Sequence, residues 1–279
     1  MEEKTEEKYL GDIISADGEN IKNVKARVSK GKGIICRILA LLEGIPFGKY
    51  YFKVAMILRE SLLISSMIFN CEAWYNVSKP ELELLESVDL EFLRRVLKTP
   101  KSTPKEMLYL ETGCIPFREI IRKRRILYLQ YIMNEKPNSI LRKFLKQQIE
   151  TKKKKDWINQ VFTDLKELNL NITVESISKI QKTKLKIILN EAIEQKTVCD
   201  LEEKKENHLK VRNIKYLRLK VQKYLKPNDL KIKLEEAHEI IKRRSRVSNV
   251  KTNFKGNYQS FECKVCKIEL LLNVKKSMK

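Results

Sequence analysis

From Ile21 onward the apolar residues recur at helical rather than strand spacing. Ile21, Val24, Val28, Ile35, Ile38, Leu39 and Leu42 follow a period of about 3.6, with a slip at Gly31 and Gly33. The stretch EGIPFGKY, with Gly44, Pro46 and Gly48, ends that helix, and a second is predicted over about 50–72. Ser78-Lys-Pro-Glu81 has the spacing of a capping box, and Leu82, Leu85, Val88, Phe92, Leu93, Val96 and Leu97 follow on one face. Thr103-Pro-Lys-Glu106 has the same form, with proline at the first helical position and Gly113 as the stop. Pro116 opens a helix to about Asn134, and further helices are predicted near 139–150, 155–169, 173–196, 200–225 and 229–244. Extended chain is expected only near 8–14 and 250–265. The predicted fold is therefore mainly α: a helical bundle, then a second helical segment. Asn134–Ser139 is the candidate boundary between them.

Composition supports this. Glycine (8) and proline (7) are scarce among 279 residues, which disfavours an all-β fold. Lysine and arginine number 58 against 36 acids, a net charge of +22, and such an excess points to a polyanion, nucleic acid before membrane. The first 20 residues run the other way, with seven acids and two lysines, so the basic character belongs to the helices. The apolar stretch VAMILRESLLISSMIF carries Arg59 and Glu60 at its centre and reads as a buried helix, too short and polar to cross a bilayer. No signal peptide opens the chain, and the six cysteines form no disulfide framework, which gives an intracellular expectation, nucleus or cytoplasm.

Enzyme chemistry has little to work with. There is no P-loop, dinucleotide fingerprint or nucleophile elbow. His208 and His238 stand alone in charged helical sequence and read as surface residues. Asp12 and Asp17 could hold magnesium, but the adjoining ADGEN reads better as turn chemistry. Cys263 and Cys266 have the spacing of half a zinc site, with no His or Cys after them to complete it, so occupancy by zinc is not expected.

A resemblance runs over essentially the whole chain from Lys8, with DWINQVFTDLKELNL and KYLRLKVQKYL fitting it and two other segments carrying most of it. KYLGDIISADGENIKNVKARVSKG resembles the stretch after the catalytic palm in non-LTR (LINE-type) retrotransposon reverse transcriptases. CEAWYNVSKPELELLESVDLEFLRRVLKTPKSTPKEMLYLETGCIPFREIIRKRRILYL is similar to the thumb and downstream helices of that family, above all in Trp74, STP, LYLETG and the basic RKRR helix. The resemblance implies that Tyr9, Leu10 and Gly11 match the primer grip and that Cys263 and Cys266 match the first half of a zinc knuckle. It divides the chain into 1–19 as palm edge, 20–135 as thumb, 136–245 as a basic helical segment and 246–279 as a loosely ordered tail. The family's magnesium-binding palm aspartates precede YLG and find no match, so the chain resembles a piece of such a polymerase, cut at both ends. No cofactor and no catalytic residue carry over, magnesium being expected only in an intact parent. What carries over is backbone contact with RNA or DNA, without sequence preference. Two other roles fit the composition: one part of a working polymerase whose palm is encoded elsewhere and docks here, and a helical scaffold for protein partners.

The binding residues are expected in three basic stretches: Arg118, Arg122 and Arg125 along one flank of the helix after Pro116 with Lys123 on the other, Lys152, Lys153, Lys154 and Lys155, and Arg243, Arg244 and Arg246. At about 100° per residue, the apolar face of that first helix holds Phe117, Ile120, Ile121, Leu127, Tyr128, Tyr131 and Ile132. Arg124 points into it and is expected to pair with a carboxylate such as Glu111, or to snorkel. A thumb without its palm is further expected to expose apolar surface around Ile21–Leu42.

Overall fold

The computed structural model describes residues 5–9, 11–16, 20–45, 50–74, 77–151, 156–207, 221–222, 225, 234–244, 261–262 and 269–270. It is mainly α-helical. The hairpin β1 (Glu6–Tyr9) and β2 (Asp12–Ser15) comes first, paired antiparallel from Glu6–Ser15 to Tyr9–Asp12. This is the extended stretch expected near 8–14. Gly11, at φ +91°, supplies the left-handed residue that so tight a turn needs. Helices α1 (Ile21–Glu43), α2 (Tyr51–Leu58) and α3 (Ser65–Met67) follow, the last two joined by a π-helical turn at Arg59–Ile64. The predicted helix over 50–72 thus ends early. Asn70 turns left-handed at φ 57°, and a short 3-10 turn covers Cys71–Ala73.

Next come α4 (Lys79–Leu97), α5 (Lys105–Thr112), α6 (Phe117–Asn134), α7 (Ile140–Thr151), α8 (Trp157–Glu167), α9 (Val174–Lys179), α10 (Lys182–Asn207) and α11 (Leu234–Arg244). A two-residue pairing of β3 (Phe261–Glu262) with β4 (Glu269–Leu270) completes the described elements. None of the described helices is long and apolar enough to cross a membrane.

The Ser78 capping box forms: the Ser78 amide donates to Glu81 Oε2 at 2.7 Å and the Glu81 amide donates to Ser78 Oγ at 3.4 Å. The Thr103 box does not. Helix α5 starts after Pro104 without a side-chain cap, and Thr103 Oγ1 is buried with no partner. The helix predicted over 173–196 is broken. Ile180 leaves helical geometry (φ −82°, ψ 131°), and Gln130 Nε2, from 50 residues upstream, donates to the Ile180 carbonyl and to that of Ile177, which also accepts the Ile180 amide. Thr173 and Ser176 cap α9 reciprocally. α10 in turn runs on through 196–200, where the sequence suggests a gap.

The chain divides into two compact units. One comprises Met1–Ile34, Leu62–Asp89 and Ile115–Lys196, and the other Ile35–Ser61, Leu90–Cys114 and Thr197–Lys279. Segment 134–139 lies inside the first. The first unit's largest core joins α6 to α10, with Ile126, Leu129, Ile158, Val161, Leu165, Ile177, Leu185, Leu189 and Ile193 at its centre. In the second, Met107 and Leu110 of α5 meet Leu201 of α10. There His238 of α11 is buried, its Nε2 3.1 Å from the Val96 carbonyl oxygen, so it is not the surface residue its charged neighbours suggest. His208 lies outside the described residues.

The expected exposed apolar face on α1 is absent. Val24, Val28, Ile35, Ile38 and Leu42 are all buried, and Leu41 is the one large apolar side chain of this helix left open among the described residues. Cys36, Cys71, Cys114 and Cys199 are free thiols, and burial pushes the Cys71 thiol up to about 12.

Candidate nucleic-acid interface

Helix α6 opens after Pro116 and buries Phe117, Ile121, Ile126, Leu129 and Ile132. Its arginines do not form an outer flank. Arg122 is 6% exposed and Arg125 2% exposed. Arg125 grips Asp164 of α8 with two bonds, Nε to Oδ2 at 2.7 Å and Nη2 to Oδ1 at 3.0 Å. Arg122 pairs with Glu119 on its own helix and with Glu167 of α8, and its Nε is 3.4 Å from Asp164. The buried face of α6 is therefore turned from the one the apolar periodicity marks. Ile120, Leu127 and Tyr128 are only half-buried, and Tyr131 is exposed.

These two guanidinium groups face three carboxylates, with Lys196 as a third cation acting on Glu119. Burial pushes Glu119 up from its ordinary value, and Arg122 and Lys196 offset this only in part. Burial pushes Asp164 up as well, against the pull of Arg125. For Arg122, burial works against the charge, but Glu119, Glu167 and Asp164 outweigh it and hold the guanidinium above its usual range. Arginines committed in this way are structural counter-ions. The assignment of Arg122 and Arg125 to phosphate contact is corrected accordingly.

The other basic residues of α6 are also engaged or partly covered. Arg124 donates to the Ile68 carbonyl at 3.4 Å and lies 3.8 Å from Glu72, so its carboxylate is Glu72 rather than Glu111. Lys123 donates to Asn190 Oδ1 at 2.7 Å. Arg118 is half-buried, with a covered Nε that has no partner. Lys152, Lys153, Lys154, Lys155 and Arg246 lie outside the described residues, as do Leu10, Asp17, Cys263 and Cys266. Arg243 and Arg244 close α11, where the backbone alone is described. Among the described residues no group of three or more His, Cys, Asp or Glu could hold a metal ion.

A basic surface that the sequence reading passed over lies on α1. Its inner face carries Val24, Val28, Gly31 and Ile35, and its outer face carries Lys22, Lys25, Ser29, Lys30 and Lys32, all exposed. Lys22 pairs with Glu6 of β1. The signal was available: not one acid occurs from Ile21 to Leu42.

One base of this helix turns inward. Arg27 pairs with Asp12 of β2, donates to the Met67 carbonyl at 3.0 Å and stacks 4.8 Å from the centre of the Trp74 ring. Asp12 also accepts from Asn23 at 2.9 Å and Asn70 at 3.1 Å. Burial alone would raise this carboxyl, but the bonds from Arg27, Asn70 and Asn23 prevail and hold it below its ordinary value. Asp12 is thus a structural counter-ion too. Tyr9 and Gly11 flank the hairpin turn, and Tyr9 is 64% exposed.

No family model, curated protein or solved structure matches the chain.

Proposed function

We propose that this chain is a helical nucleic-acid-binding fragment of the LINE-type reverse-transcriptase kind, holding the backbone of RNA or DNA without reading sequence. The observation that carries this is α1: Lys25, Lys30 and Lys32 stand exposed on a helix with no acid from Ile21 to Leu42. Lysines of this sort replace condensed counterions along a phosphate backbone. The hairpin whose turn resembles the primer grip directly precedes them, in the order the resemblance implies. The proposed role is binding alone, with no chemical step.

The test is a triple change of Lys25, Lys30 and Lys32 to glutamine, with binding to single-stranded RNA and duplex DNA followed over a salt series. Each lost contact flattens the log–log slope by about 0.7 to 0.9. A slope equal to the wild type's would overturn the assignment to α1. Binding that is absent at low salt, or indifferent to salt, would overturn the function and favour a scaffold for protein partners.

A further inference from the structure

The first unit contains a cavity of about 470 Å³ between α6, α7 and the start of α8. This is within the roughly 300–1,000 Å³ of small-ligand sites. Its walls are aromatic: Tyr128 of α6, Phe144 of α7 and Trp157 of α8, over Leu145. Two polar side chains, Gln148 and Asp156, also line it.

The walls are held in place. Trp157 Nε1 donates to the Glu72 carbonyl at 2.7 Å, and the rings of Trp157 and Tyr128 meet edge to face at 84°, centroids 5.8 Å apart. Gln148 Oε1 accepts from the Ile158 amide at 3.4 Å, which leaves its Nε2 able to donate.

Asp156 is the informative residue. It is the N-cap of α8 and has the extended backbone of one, yet its side chain caps nothing. An aspartate there ordinarily accepts a bond from the first turn. This one lines the cavity instead, and among the described residues it is steadied by Thr151 Oγ1 at 3.3 Å from Oδ2.

A purely apolar occupant would cover that carboxylate and the Gln148 amide without pairing either, at a cost. A cationic occupant would suit Asp156 but is repelled by a chain of net charge +22. A flat ring with amino donors and ring acceptors satisfies both groups and the aromatic walls. Phe144 is 56% exposed, so one wall is open to an entering ring, and Lys143 beside it is exposed to meet an attached phosphate, while Lys146 lies 3.9 Å from Glu150.

We infer that the α6–α7–α8 cavity receives one unstacked nucleobase of a single strand, and that it favours amino-bearing cytosine or adenine over thymine or uracil. The ring stacks against Phe144 and the Tyr128–Trp157 pair. Asp156 accepts from the exocyclic amine and Gln148 donates to a ring nitrogen. This deepens the nucleic-acid-binding function proposed above and rests on it.

The experiment uses the full chain with short single strands of equal length: oligo-dC, oligo-dT and an abasic strand, by fluorescence anisotropy at fixed salt. The abasic strand is expected to bind roughly 5- to 150-fold more weakly than oligo-dC, the range found for loss of one stacked base. Oligo-dT should fall between them. Phe144→Ala, a change at an exposed position, should bring oligo-dC down to the abasic level, and Asp156→Asn should narrow the gap between oligo-dC and oligo-dT. Equal binding of all three strands with a normal salt slope overturns the base pocket, leaves the backbone function standing and returns the cavity to a protein side chain. Binding of none of them overturns both.

Discussion

Helices α1 and α6 are both rich in positive charge, and they spend it in opposite ways. On α1 the lysines point outward and one base, Arg27, turns in to meet Asp12. On α6 two arginines, Arg122 and Arg125, are buried against Glu119, Asp164 and Glu167. The side chains that turn inward are arginines in both cases, because a planar guanidinium matches a carboxylate with two bonds and sheds water more readily than an ammonium group. What separates the helices is the supply of acids. Helix α8, packed on α6, brings two carboxylates, Asp164 and Glu167, while among the described residues the outer face of α1 pairs with Glu6 at its first turn. A basic stripe is a binding surface only once its counter-charges have been accounted for.

That contrast can be broken at several points. The largest effect is expected from Arg125→Ala, which leaves Asp164 buried without its two-bonded partner and should cost about 3–5 kcal/mol in denaturant unfolding. A cost near zero would mean that Arg125 is solvated and that α6 resembles α1 after all. Next comes Gly31→Val on the inner face of α1. A Cβ at Gly31 would stand 2.8 Å from Met67 Sδ and 3.0 Å from Val88 Cγ1, both side chains buried, so over-packing should cost about 1–3 kcal/mol. Gly33, two residues on, has open space where its Cβ would be. Gly33→Ala should therefore stabilise the protein by about 0.5–1 kcal/mol. A loss at Gly33 as large as that at Gly31 would show that the outer face of α1 is covered.

The finest distinction is in pH. Glu119 sits above its ordinary value of 4.5, so its contribution is complete below that pH and fades as the pH rises through its folded value. Asp12 sits below its ordinary 3.8, so its contribution is complete above that pH and is lost as the pH falls through its folded value. Measured against the wild type, Glu119→Gln should gain stability as the pH rises and Asp12→Asn should lose it. Parallel trends in the two variants would refute the assigned directions.

Features set by neighbours in sequence were legible in the sequence. The extended stretch near 8–14, the span of α1, the Ser78 capping box and the start of α6 all follow from periodicity, caps and glycine–proline punctuation, whereas the pairing of that stretch into a hairpin about Gly11 does not. Features set by distant partners were not. The break between α9 and α10 depends on Gln130, and the burial of His238 depends on α4. The rotation of α6 depends on Asp164 and Glu167, some 40 residues downstream, which no single-helix period can report. Thr103 has the right spacing for a cap, but α5 begins one residue later than its box requires. The cavity was hidden for a similar reason. Tyr128 and Trp157 each belong to an ordinary amphipathic stripe, and only their meeting with Phe144 makes a pocket.

Arg27 has a mechanical consequence. One guanidinium joins the second strand of the hairpin, the first turns of α1, the end of α3 and the face of Trp74. Force applied to the hairpin is therefore borne chiefly at Asp12, which Arg27, Asn23 and Asn70 all hold, with the exposed Lys22–Glu6 pair as a second tie. In a pulling experiment the first rip should be the release of the hairpin as one piece, with Trp74 emission changing in the same step and the coil of α1 still wound.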